Sequence, residues 1–162
     1  MIRAYGLEKW YDDVCAVRKV DLEIVPGEIY GFLGPNGSGK TTTIMMLLGI
    51  ETPTSGEVFL FNEGYTAERT DLRSRIGVVP ERHPQGMWKW MSAHEYLSFF
   101  SALFHVKDAE KRIETLLRDV DLWGDRDKPF AHFSRGKLQK LSICRALLHD
   151  PEILILDEPI SG

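Results

Sequence analysis

Gly34-Pro35-Asn36-Gly37-Ser38-Gly39-Lys40-Thr41-Thr42 is the stretch on which the reading of this sequence turns. It fits the phosphate-loop pattern of two glycines five apart, then Lys, then Ser or Thr. Residues 28–33 before it read as a short buried strand. Residues 41–48 after it read as a helix, with Ile44, Leu47 and Leu48 at the spacing of one buried face. Strand, glycine loop and helix is the context the pattern requires.

Chemistry explains the residue types. Successive backbone N–H groups must point inward to hold phosphate oxygens, and side chains would obstruct them. Gly34, Gly37 and Gly39 meet that need, and the helix that starts there adds the positive end of its dipole. Lys40 is placed to reach β- and γ-phosphates, and the Thr41 hydroxyl to ligate Mg²⁺. The bland alternative is a glycine-rich turn that happens to precede a helix; the flanking strand and helix weigh against it. The stretch implies nucleotide binding, with Asn36, Ser38 and Thr42 in the same loop.

The 162 residues suffice for one domain with a real core. Composition is that of a globular protein, 43% hydrophobic and 27% charged, with a net charge of −4. That balance argues against a general nucleic-acid binder, so no nucleic-acid partner is expected. Residues 1–5 lead straight into an alternating strand, without the look of a signal or transit peptide. The longest apolar runs, such as residues 44–50, are too short to span a bilayer, so any membrane role is expected to come through a partner. Cys15 and Cys144 are far apart without metal-ligand spacing and read as free, buried or half-buried thiols.

Residues 2–28 read as two short strands, with Val17, Val20, Leu22 and Ile24 alternating unevenly and Pro26-Gly27 as a turn. Tyr11 ends the first strand. It is either an ordinary strand-end aromatic or a face on which a base stacks. Residues 57–61 and 76–79 read as strands, the second stopping at Pro80. The loop at 83–91 carries Trp88 and Trp90, which either pack into the core or form a contact surface. Ser92 and Glu95 form a capping box for a helix bearing Tyr96, Leu97, Phe100, Leu103 and Phe104 on one side. A second helix covers 109–120, and the pair reads as an inserted subdomain. Ser134 caps a longer helix to about His149, and the apolar strand at 153–156 runs into Asp157-Glu158-Pro159.

An apolar strand ending in acids is the natural partner of a phosphate loop, because ligands of open α/β sheets sit at the carboxyl ends of strands. Asp157 would hold Mg²⁺ there, and Glu158 could polarise a water for attack on the γ-phosphate.

Residues 34–42, Ser134-Arg135-Gly136-Lys137 and residues 153–159, in this order, resemble the ATP-binding domain of ABC transporters over the whole chain. The resemblance implies an α/β fold: a P-loop NTPase core with a parallel sheet, an N-terminal antiparallel β subdomain and an inserted α-helical subdomain at about 81–133. It implies ATP and Mg²⁺ as ligands, with Lys40 and Glu158 catalytic. Thr41, Glu81 and Asp157 would serve the metal. Tyr11 becomes the aromatic that stacks on adenine. Ser134 and Gly136 match the family signature, whose helix start caps the γ-phosphate of ATP on a second copy of the domain, in a head-to-tail pair. The helical subdomain would touch a transmembrane permease subunit, with the Trp88/Trp90 loop near the contact. The implied place is the cytoplasmic face of the cell membrane, held peripherally.

Three departures stand out. Glu81 replaces the usual Gln, the signature reads Phe133-Ser134-Arg135-Gly136-Lys137 instead of Leu-Ser-Gly-Gly-Gln, and the chain stops at Gly162. The first two resemble variants in the ABC-2 type exporter branch. The third leads to the expectation that the C-terminal strands are missing, one of them from the middle of the parallel sheet, and that residues 1–162 made alone are unstable and do not turn over ATP. Competing readings are a soluble ABC-type ATPase of translation or DNA repair, and a non-catalytic nucleotide-binding remnant.

Overall fold

The computed structural model describes residues 1–80 and 86–157. They fall into two compact units, Met1–Arg73 and Ser74–Gly162.

The first unit is built on an antiparallel sheet. Strands β1 (Ile2–Tyr11) and β2 (Val14–Ile24) form a hairpin across Asp12 and Asp13, with Asp12 at a φ of 50°. These strands have 10 and 11 residues, longer than the two short ones expected. β3 (Ser55–Leu60) pairs with the other side of β1, and β4 (Glu63–Gly64) with β3, giving the order β2-β1-β3-β4. Ile2, Ala4 and Leu7 of β1 bury the same face as Leu22 of β2 and Val58 and Leu60 of β3. Alternation supplies Ile2 and Ala4, and Val58 and Leu60, to the apolar floor, and the register shift after Ala4 returns Leu7 to it. Helix α1 (Lys40–Leu47) packs on β1 and β2, burying Met46 with Leu47 and Leu48, while Ile44 is half-buried. Tyr65, buried, donates its hydroxyl to the Leu48 carbonyl at 2.7 Å and so closes the C-terminal end of α1. The short helix α2 (Thr70–Arg73) ends the unit.

Residues 28–33 do not form the buried strand expected from their sequence. They are irregular, with Ile29 99% and Leu33 94% exposed. A strand of this kind needs ladder partners for its N–H and C=O groups. Among the described residues no strand pairs with it.

The second unit holds a parallel pair, β5 (Ile76–Val79) and β6 (Ile153–Leu156), in register Ile76↔Ile153 to Val79↔Leu156. Between them run α3 (Ala93–Leu103), α4 (Ala109–Asp119) and α5 (Arg135–Leu147). The Ser92–Glu95 capping box is present in both directions, at 3.1 Å and 2.8 Å. The helices share a core of Tyr96, Leu97, Ile113, Leu117, Phe130 and Leu141 with their neighbours. The apolar stripe expected of α3 is only partly used: Leu103 and Phe104 are 57% and 39% exposed. The stripe is wider than the surface that α4 and α5 cover.

The seam between α5 and β5 is tight. A Cβ on Gly77 would lie 2.3 Å from the Ala146 carbonyl oxygen, so only glycine lets the helix approach this closely. Along that seam Arg145 donates to the Val78 carbonyl at 2.7 Å. His149, with its proton on Nε2, donates to the Ile76 carbonyl at 3.1 Å. These carbonyls face away from β6, because the neighbouring carbonyls of Arg75 and Val79 accept from Ile153 and Asp157.

No helix among the described residues is long and apolar enough to cross a membrane. Both cysteines are free thiols. Cys144 is buried, donates to the Leu116 carbonyl, and has its pKa pushed up to about 12 by that burial. Iodoacetamide at pH 8 is therefore expected to label the half-buried Cys15 in the folded protein and to reach Cys144 only after unfolding. Equal labelling rates at the two positions, read by peptide mass spectrometry, would contradict the buried placement.

Candidate functional site

The phosphate loop enters α1 through Gly39, the residue before the helix, at a φ of 86°. A Cβ there would lie 2.4 Å from the Ala16 carbonyl oxygen and 3.0 Å from Val17 Cγ2. Two constraints thus select glycine at one position: a left-handed backbone and a close approach to β2. At Gly34 a Cβ would meet Ser38 Oγ at 2.7 Å. The loop closes on itself through Ser38 N–H to the Pro35 carbonyl, 3.2 Å.

Lys40 turns back over this loop. Its ammonium donates to the carbonyls of Gly34 at 2.8 Å and Pro35 at 3.0 Å. The first bond into the helix is Thr43 N–H to the Gly39 carbonyl, 2.8 Å. The amides of Lys40, Thr41 and Thr42 therefore stand at the helix start ahead of any intrahelical acceptor. Asn36, Gly37 and Ser38 are exposed and Thr41 and Thr42 half-buried. A loop of small residues, a helix start rich in donors and a lysine across the loop fit a polyphosphate. The hydroxyl of Thr41 in the first turn fits a hard cation that rides on such a phosphate.

In the second unit, Asp157 follows β6, and its N–H donates to the Val79 carbonyl at 2.9 Å. The strand and its pairing thus put this acid at the carboxyl end of the parallel pair, as expected. Among the described residues no three His, Cys, Asp or Glu side chains cluster as a metal site of their own. Expectations for Glu81 and Glu158 fall outside the described residues.

Ser134 precedes α5 with extended backbone and accepts from Lys137 N–H through its hydroxyl, at 3.4 Å. Gly136 has open space where a Cβ would stand. A feature that sequence reading missed surrounds this helix start. The Asp125 carboxylate accepts from Lys128 at 2.6 Å and from Lys137. Lys137 also lies 5.8 Å from the Phe133 ring centroid. The hydrogen bonds from Lys128 and Lys137 hold the Asp125 carboxyl at about 2. The Asp125–Lys128 spacing was legible as a local pair; the Lys137 partnership, 12 residues away, was not.

The two tryptophans differ: Trp88 packs inward, as the core reading has it, and Trp90 is exposed. Trp88 packs edge-on against Tyr96 and Phe99, at 5.8 Å and 5.3 Å between centroids. Trp90 is 67% exposed, with the Lys89 ammonium 5.0 Å from its ring centre.

Two predictions follow from this geometry. Gly39→Ala is expected to cost about 1–3 kcal/mol of stability from the left-handed backbone alone and to weaken nucleotide binding, since the loop must leave Ala16. Denaturant titration and ATP titration of the full chain measure both, and an unchanged affinity would remove the close-approach argument. The second concerns Asp125, whose folded value lies below the ordinary carboxylate value of about 3.9. Its contribution is complete above that value and is lost as the pH falls through about 2. Asp125→Asn should lower the urea midpoint at pH 7, and the difference should close as the pH approaches 2. A difference that does not change with pH would count against the ion pairs.

Comparison with known proteins places the geometry in context. A family model described as ABC transporter matches residues 17–161. The bacitracin transport ATP-binding protein BcrA of Bacillus licheniformis is 40% identical over 164 residues, covering 100% of this chain and 52% of that protein. The Nod factor export ATP-binding protein I of Cupriavidus metallidurans is 37% identical, covering 100% of this chain and 54% of its own length. The chain thus spans about half the length of these curated relatives. Among solved structures, cbiO1 from Clostridium perfringens, part of the ABC transporter complex cbiONQ, superposes with a TM-score of 0.88 at 29% identity. That match covers 99% of this chain and 66% of that one. The ADP conformation of an ATP-binding cassette of an ABC transporter superposes with a TM-score of 0.84 at 26% identity, over 99% of this chain and 69% of that one.

Proposed function

We propose, from the premise that this chain belongs to the ABC transporter family, that it binds and hydrolyses ATP to drive transport through separate membrane subunits. The observation that carries this reading is the phosphate loop itself, with Lys40 held across it by the Gly34 and Pro35 carbonyls. The same ammonium would exchange those carbonyls for β- and γ-phosphate oxygens, which are stronger acceptors. The amides at the start of α1 would hold the rest of the triphosphate.

Thr41, Asp157 and Glu81 would hold Mg²⁺, which when bound offsets charge on the phosphates. Glu158 is the general base that takes a proton from the attacking water. Tyr11, 43% exposed at the end of β1, offers its ring to the adenine. Ser134 and Gly136, at the start of α5, would meet the γ-phosphate of ATP held by a second copy arranged head to tail.

The helical segment at about 81–133 is the part proposed to touch a transmembrane permease subunit. Exposed Trp90, Phe99, Leu103 and Phe104 there supply apolar surface for such a contact. This sets the protein on the cytoplasmic face of the membrane as a peripheral subunit. Within the family we place it in the ABC-2 type exporter branch. Support comes from Glu81, from Ser134-Arg135-Gly136-Lys137, and from relatives whose names speak of bacitracin transport and Nod factor export.

Hydrolysis by the full chain, assayed with its permease in membranes, tests this reading. Lys40→Met is expected to abolish detectable turnover. Glu158→Gln should keep ATP binding while lowering the rate by about 10²–10⁴-fold, the range for loss of a general base. Wild-type turnover in either variant would overturn the assigned roles.

A further inference from the structure

Lys9 joins the end of β1 to the segment that follows α1. Lys9 and Tyr11 stand two residues apart at the end of β1, beside a register shift of the β1–β2 ladder between Lys9 and Trp10. The Lys9 ammonium lies 5.0 Å from the Tyr11 ring centroid. It also pairs with the Glu51 carboxylate at 2.9 Å and donates to the Thr52 carbonyl at 2.8 Å. The Lys9 side chain is only 14% exposed, well below what a solvated surface lysine shows.

Its anchors are tied to the phosphate-loop helix. The N–H groups of Ile50 and Glu51 both donate to the Met45 carbonyl of α1, at 2.9 Å and 3.2 Å. Thr54 then returns to β1: its N–H donates to the Glu8 carbonyl at 2.8 Å, and its hydroxyl accepts from Trp10 N–H at 3.1 Å. One cation therefore lies against the Tyr11 ring and is anchored on Glu51 and Thr52, a segment that Ile50 and Glu51 tie in turn to the Met45 carbonyl of α1. The first residues of α1 are the phosphate loop's own.

We propose that Lys9 is a positioning residue for the nucleotide base: it holds the Tyr11 ring at a fixed place relative to α1. The base end and the phosphate end of one nucleotide are then bound at a set separation. The inference rests on the reading of Tyr11 as the base-stacking aromatic. A tyrosine at a strand end otherwise turns about its side-chain torsions, and each binding event must order it. An ammonium fixed over the ring restrains it beforehand and is itself attracted by the ring.

Calorimetry on the full chain with two probes tests this: Mg-ATP, and magnesium tripolyphosphate, which has the phosphates without the base. The variants are Lys9→Met, Lys9→Arg, Tyr11→Ala and Lys9→Met with Tyr11→Ala. Lys9→Met is expected to weaken ATP binding about three- to fivefold, the scale of a half-exposed cation–π contact, and to leave tripolyphosphate binding unchanged. Lys9→Arg should restore most of the loss, and Lys9→Met should add nothing once Tyr11 is Ala. Equal weakening of both probes by Lys9→Met would mean a loop staple without a role at the base, and would overturn the proposal. So would an unchanged ATP affinity in Lys9→Met when Tyr11→Ala lowers it. If Tyr11→Ala leaves the ratio of the two affinities unchanged, the base-stacking reading itself fails and the inference falls with it.

Discussion

The first unit depends on how closely the phosphate loop lies against β2. At Gly39 the distance available to a Cβ is 2.4 Å from the Ala16 carbonyl oxygen, less than any side chain tolerates. That single approach fixes where α1 begins, and the position of α1 fixes what its buried residues meet. Met46, Leu47 and Leu48 then find β1 and β2 beneath them. Burial of these side chains, at roughly 1.5–3 kcal/mol each, holds the loop in a backbone conformation it would not keep alone. The antiparallel sheet is thus the support of the phosphate loop as well as a neighbour of it.

The second unit solves a similar problem with different parts. Its helix α5 is capped by Ser134, and the charge on Lys137 in its first turn opposes the helix dipole. Asp125 answers that charge, with Lys128 on its other oxygen. A lysine at this place is therefore tolerated because a carboxylate from the preceding segment accompanies it.

Much of this was legible in the sequence, and the exceptions have physical causes. Local rules were enough for the capping box at Ser92 and Glu95, for the Ser134 cap, and for β5 ending at Pro80. Each depends on residues within a turn of one another. Residues 28–33 misled, because an apolar run states a preference for burial, whereas a strand also requires a neighbour to accept its backbone bonds. Leu103 and Phe104 misled for a related reason: periodicity names a face but not the extent of what covers it. The loop and its Lys40 could be named from spacing alone. The contacts of Lys9 with Glu51 and Thr52 could not, since 42 residues separate Lys9 from Glu51 and no period links them.

The capped carbonyls of β5 have a consequence for what the parallel pair can join. On one side of the pair, Arg145 and His149 already occupy the acceptors that an added strand would use. Side chains from a helix have made that border non-templating, much as charged or covered edges protect other sheets from unwanted partners. The opposite border belongs to β6, whose Leu154 and Leu156 remain 40% and 41% exposed. At the β5 border an added strand would first have to displace these two side chains from the carbonyls they hold.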